Sequence, residues 1–206
     1  INCTKNFALV GFYSDGIKPL IMFDYTMQGN SVENAIAVSK EAYLGPHNEV
    51  YFYSLSQPEK IIARIKNLSD WDYGCTTVSI DRAGDGGEPF WNNVPAQYLA
   101  RKTFFVTPQH NNPSGSYEIT LYYTGAEKTG YETATGKSWA DVKMVKTEIP
   151  VQTVTPATPE TDKVSINSAV EHASFGEAYT VHAAFNTGFS GFSIGDVDAV
   201  LPVSWL

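Results

Sequence analysis

The chain has 206 residues, with 14 Lys and Arg against 22 Asp and Glu, for a formal net charge of −8. A folded monomer of this size exposes about 9,500 Å² of the roughly 33,000 Å² offered by the open chain, which is enough burial for one large domain or two small ones. The acidic balance argues against nucleic acid and against an anionic membrane surface as partners, and no apolar run approaches the ~20 residues of a membrane span.

In chain order, short segments rich in β-branched and aromatic residues predict strands. They fall at 6–14 (NFALVGFYS), 21–27 (IMFDYTM), 35–43, 50–55 (VYFYSL) and 60–67 (KIIARIKN). Asp15-Gly16, Gly29-Asn30 and Gly45-Pro46 punctuate them as turns. A polar turn at Leu68-Ser69-Asp70-Trp71-Asp72 suggests a boundary, giving an N-terminal β-sandwich over 1–68 and a C-terminal one over 69–206. A single larger sandwich fits the same pattern. Further strands are expected at 75–81, 102–108, 116–124, 142–149, 164–175 and 178–194. Alternation is clearest at 117–123, where Ile119, Leu121 and Tyr123 share one face and Glu118, Thr120 and Tyr122 the other. At 179–185 the odd positions are the apolar ones. The expected class is therefore all-β, an antiparallel sandwich or sandwiches.

One helix stands out near 125–135. Thr124 can cap it, Glu127 three residues on completes a capping box, and Gly136 ends it. The stretch 151–162 (VQTVTPATPETD) reads as a long flexible connection.

Chemistry-bearing patterns are few. No HExxH, GxGxxG or phosphate-loop motif occurs, and no serine sits in a nucleophile turn, so the expectation is a chain without catalytic residues and without a cofactor. The loop Asp81-Arg82-Ala83-Gly84-Asp85-Gly86-Gly87-Glu88 is the one place for a metal. Asp81, Asp85 and Glu88 could wrap Ca²⁺, a cation that takes 6–8 oxygens; a solvated glycine-rich turn explains the same residues. His172 and His182 could face each other across a hairpin turning at Gly176-Glu177, although a solvated face accounts for both. Trp71, Trp91 and Trp139 lie in or beside loops, where an exposed indole can stack on a sugar ring or anchor a partner. Cys3 and Cys75 are the two cysteines. Their number suits one disulfide in an oxidising compartment, and two separate buried thiols are the alternative.

Three segments carry a resemblance: 60–84 (KIIARIKNLSDWDYGCTTVSIDRAG), 102–138 (KTFFVTPQHNNPSGSYEITLYYTGAEKTGYETATGKS) and 185–206 (FNTGFSGFSIGDVDAVLPVSWL). They resemble the C-terminal β-rich regions of large secreted Bacteroidetes surface proteins, adhesin-like or reprolysin-like metallopeptidases. The ending looks like the stretch just before a type IX secretion sorting domain. The resemblance covers about 60–206 and implies an extracellular or cell-surface location, with other domains of the same parent chain as partners. It carries over no catalytic residue. Two functions follow as expectations. The first is a non-catalytic module, a spacer or weak binder of a glycan or surface protein. The alternative is an accessory domain of a secreted zinc metallopeptidase.

Overall fold

A computed structural model describes residues 31–54, 59–89, 97–153 and 164–197. Within them the chain forms two antiparallel sheets packed face to face, with one short α-helix. In the larger sheet, β1 (Ser39–Leu44), β4 (Gly74–Arg82), β7 (Thr103–Pro108), β13 (Gly191–Asp196), β6 (Tyr98–Ala100) and β5 (Gly87–Pro89) follow one another. On the same sheet β9 (Lys143–Thr147) also pairs with β13, and β10 (Val164–Asn167) pairs with β9. The smaller sheet runs β11 (Glu171–Phe175), β12 (Ala178–Phe185), β8 (Tyr117–Tyr123), β3 (Ile61–Asn67), β2 (Glu49–Tyr53).

The strand period decides which residues meet between the layers. Ile119, Leu121 and Tyr123 of β8 face inward as their alternation requires, beside Val181 and Ala183 of β12. From the other sheet come Val78, Ile80, Phe104, Val106, Phe192 and Ile194, all 0–1% exposed. The outer face of β8 is not fully solvated, because Tyr122 is covered by a small cluster with Val32, Ile61 and Ala178.

The 68/69 boundary does not separate two sandwiches among the described residues. β1 is hydrogen-bonded to β4, β3 is hydrogen-bonded to β8, and one core cluster draws on both sides. The arrangement there is the single larger sandwich. The polar turn at 68–72 is real, but it carries the chain from one sheet to the other within one core.

Other departures are local. The strand expected over 164–175 is two strands in different sheets, β10 and β11. Asn167 accepts a hydrogen bond from the Ala169 N–H (2.9 Å), a side-chain turn that redirects the chain. The strand expected over 178–194 likewise splits into β12 and β13. The strand expected over 35–43 begins only at Ser39, after a turn in which Ala37 takes φ 61°. The strands expected at 6–14 and 21–27 lie outside the described residues, as does most of the 151–162 connection.

α1 (Gly125–Thr135) forms where its signals place it. Thr124 Oγ1 accepts from the Glu127 N–H (3.1 Å), Glu127 Oε2 accepts from the Thr124 N–H (2.7 Å), and Gly136 closes the helix at φ 68°. Its Gly130 lies against the turn between β4 and β5: an added Cβ would meet Asp85 at 2.8 Å and the Gly86 nitrogen at 2.9 Å. The helix therefore docks on backbone, which only glycine permits.

Candidate functional site

Three turns meet at one end of the sandwich: 45–48 between β1 and β2, 68–73 between β3 and β4, and 109–116 between β7 and β8. Asn67, at the end of β3, organises them and is 1% exposed. Its amide donates to the carbonyls of Gly45 (2.8 Å) and Trp71 (2.7 Å), and its oxygen accepts from the Ser69 N–H (2.9 Å). Each of these bonds satisfies a polar group at a sheet end where no ladder partner remains. Beneath the turns, Phe189 packs against Tyr117 (ring centroids 3.9 Å apart) and Tyr73 (4.8 Å).

On this base Trp71 is 44% exposed. Its indole N–H donates to the His110 carbonyl (2.9 Å), which links two turns and holds the ring in place. Around it Tyr43 donates to Asp72 (2.5 Å), raising the Tyr43 phenol pKa mainly through that bond. His47 meets Asp70 at 2.8 Å with both side chains largely in water, a pairing of little energetic weight. The polar groups are thus bonded to one another, while the indole offers an apolar face to solvent. A fixed aromatic face loses little conformational entropy when a sugar ring or an apolar side chain stacks on it.

The other sequence candidates fare differently. Trp139 is 4% exposed and edge-on to Tyr123 (5.2 Å) and Tyr131 (6.0 Å). It is a core residue, because the 3₁₀ turn Trp139–Asp141 after α1 turns it between the sheets. Trp91 lies outside the described residues. Asp81, Asp85 and Glu88 do not come together: among the described residues no three His, Cys, Asp or Glu side chains form a metal-holding group. Asp81 accepts a bond from Thr103 Oγ1, Asp85 is exposed beside Gly130, and Glu88 lies 3.5 Å from Arg101. His172 and His182 do sit on a hairpin, but His182 pairs with Glu171 and His172 with Val181. That one-residue offset puts them on opposite faces; His182 Nδ1 lies 3.1 Å from Thr120 Oγ1. Cys75 is the second residue of β4, opposite Tyr43, and Cys3 lies outside the described residues.

One constellation had no sequence signal. Lys102, fully buried, donates to the carbonyls of Glu33 (2.5 Å) and Tyr122 (2.8 Å), and lies 3.4 Å from Glu127 Oε2. The rings of Phe104 and Tyr123 flank it, each 5.3 Å away. Burial lowers its pKa to about 8, against the pull of Glu127. Glu33 is itself buried; burial raises its carboxyl pKa, but bonds from Ser54 and the Ala35 and Asn34 N–H groups outweigh it and hold the carboxyl below its usual range. Lys102 fastens the segment that crosses from Val32, over one sheet, to β1 in the other. All three ammonium hydrogens have acceptors and no solvent reaches it, so its part is structural.

Comparison with protein-family models, with curated proteins and with solved structures finds no match.

Proposed function

We propose that the chain is a non-catalytic β-sandwich module of a larger secreted or cell-surface protein, serving as a spacer and a weak binder of a glycan or a surface protein. The observation that carries this reading is Trp71: a half-exposed indole fixed by a bond to the His110 carbonyl at the convergence of three turns. A ring held that way can contribute contact area to a partner without adding to the core. Replacing it should therefore separate binding from folding. Trp71→Ala is expected to weaken capture of an immobilised glycan or surface-protein partner about tenfold, the loss typical of an aromatic anchor, with a melting temperature within a few degrees of the parent chain. Unchanged binding in a folded Trp71→Ala protein, or turnover of a peptide or glycoside by the parent chain, would overturn the reading.

The extracellular setting also implies that Cys3 and Cys75 are joined. In support, Cys75 is not a free thiol, and the chain has two cysteines. Such a bond would contribute about 4 kcal/mol in the chain-entropy account. Alkylation without reduction, followed by mass spectrometry, should label neither cysteine; two labelled thiols would refute the pairing.

A further inference from the structure

Beside the Trp71 turns, between β10 and the end of β12 with the two residues that follow it, lies an open groove of about 510 Å³. This is within the range of small-molecule sites, roughly 300–1,000 Å³. Ser116, Ser165, Asn167 and Asn186 supply its polar lining, and Phe185 an aromatic edge. No charged side chain is among the described residues that line it. Leu68, at its rim, belongs to the same turn as Trp71, and its N–H donates to the Ser116 carbonyl (3.0 Å). The groove is therefore continuous in the chain with the exposed indole. Asn167 is fixed there, its amide donating to the Ala184 carbonyl (2.6 Å).

The chemistry of this lining selects a ligand class. Hydroxyl and amide groups both donate and accept, as sugar hydroxyls do. A carboxylate or sulfate only accepts, and is held best by Arg or Lys, which the described lining residues do not include. The net charge of −8 also disfavours an approaching anion. Phe185 offers a surface for the C–H face of a sugar ring. We infer that the groove takes a neutral, hydroxyl-rich glycan, and that it discriminates against sialylated and sulfated ones. The inference rests on the glycan half of the proposed function and adds to it the class of sugar and the surface that reads it.

The test is a binding titration of the full chain against neutral hexose and N-acetylhexosamine oligomers, with sialylated and sulfated oligomers in parallel. Neutral oligomers should bind, and their anionic counterparts should bind at least about tenfold more weakly. Asn186→Asp replaces an exposed amide of the groove, which donates and accepts, by a carboxylate that only accepts. It should leave the melting temperature unchanged and weaken neutral-oligomer binding several-fold. Anionic oligomers binding as well as neutral ones would overturn the inference. So would neutral binding that Trp71→Ala reduces but Asn186→Asp leaves intact; in that case the proposed function stands and the groove does not. Binding of no oligomer by the parent chain would overturn both the inference and the glycan half of the proposed function.

Discussion

Above pH 10 the sandwich is expected to unfold cooperatively, because its interior keeps tyrosines neutral that the open chain would ionise. Burial raises the pKa of Tyr117, Tyr122 and Tyr123 well above the usual 10 and pushes Tyr131 up to about 12. The unfolded chain releases these protons first, so it holds fewer protons than the folded one and stability falls as pH rises. The contribution is fully present below pH 10 and is lost above it. Tyr131 alone, at about 12 against the usual 10, is worth ~3 kcal/mol. Tyr123 adds a second difficulty, since its hydroxyl is buried with no partner to share a charge. Lys102 works in the opposite direction over a lower window. Its folded pKa is about 8 against 10.5 for a solvated lysine, so the unfolded chain binds more protons between those values and stability rises there. Stability should therefore climb from pH 8, peak near about pH 10, and then collapse. Tyrosinate absorbance and circular dichroism followed together give the check. The buried tyrosines are expected to ionise in one absorbance step coincident with loss of the sheet signal, separate from exposed ones such as Tyr51; smooth ionisation of all tyrosines with the fold intact would contradict it.

Lys102→Met should cost about 3–5 kcal/mol, the range for breaking a buried ion pair by removing one partner. The loss has three parts: Glu127 keeps a buried charge without its cation, and the carbonyls of Glu33 and Tyr122 lose their donor. The double variant Lys102→Met with Glu127→Gln should recover part of the loss, since the stranded charge is then gone. It should not recover all of it, because the carbonyls of Glu33 and Tyr122 still lack the donor that Lys102 supplied. Removing the lysine should also abolish the rise in stability above pH 8. Urea denaturation at pH 7 and pH 9.5 measures both effects. A Lys102→Met protein as stable as the parent would show that the crossing segment is not fastened as described.

What the sequence made legible was local. The helix was readable because Thr124, Glu127 and Gly136 carry its start and stop within a dozen residues. β8 and β12 were readable because alternation needs no knowledge of the partner strand. β5 and β6 were not, being three residues each and held by neighbours distant in sequence: Gly87 lies against Thr135 of α1. The turn at 68–72 was visible, yet its composition does not reveal whether the next strand joins the same core. The same limit applies to the tryptophans. Trp71 and Trp139 both neighbour turns, but one turn faces solvent and the other folds back between the sheets. Lys102 showed least, since a lysine next to Arg101 at the start of an expected strand is usually solvated, and only the convergence of residues 33, 122 and 127 makes it a buried fastening.

The central proposal is that this sandwich binds a partner through the exposed end built around Trp71 and does not transform it. It is tested most directly by amide and indole chemical shifts of the isotopically labelled chain during titration with a bound neutral oligosaccharide. Perturbations should concentrate at the Trp71 indole N–H, in residues 68–73 and 109–116, and in the adjoining groove residues 165–167 and 184–187, with the sugar recovered unchanged. Perturbations confined to the opposite end of the sandwich, around Lys102 and α1, or conversion of the sugar during the titration, would contradict the account.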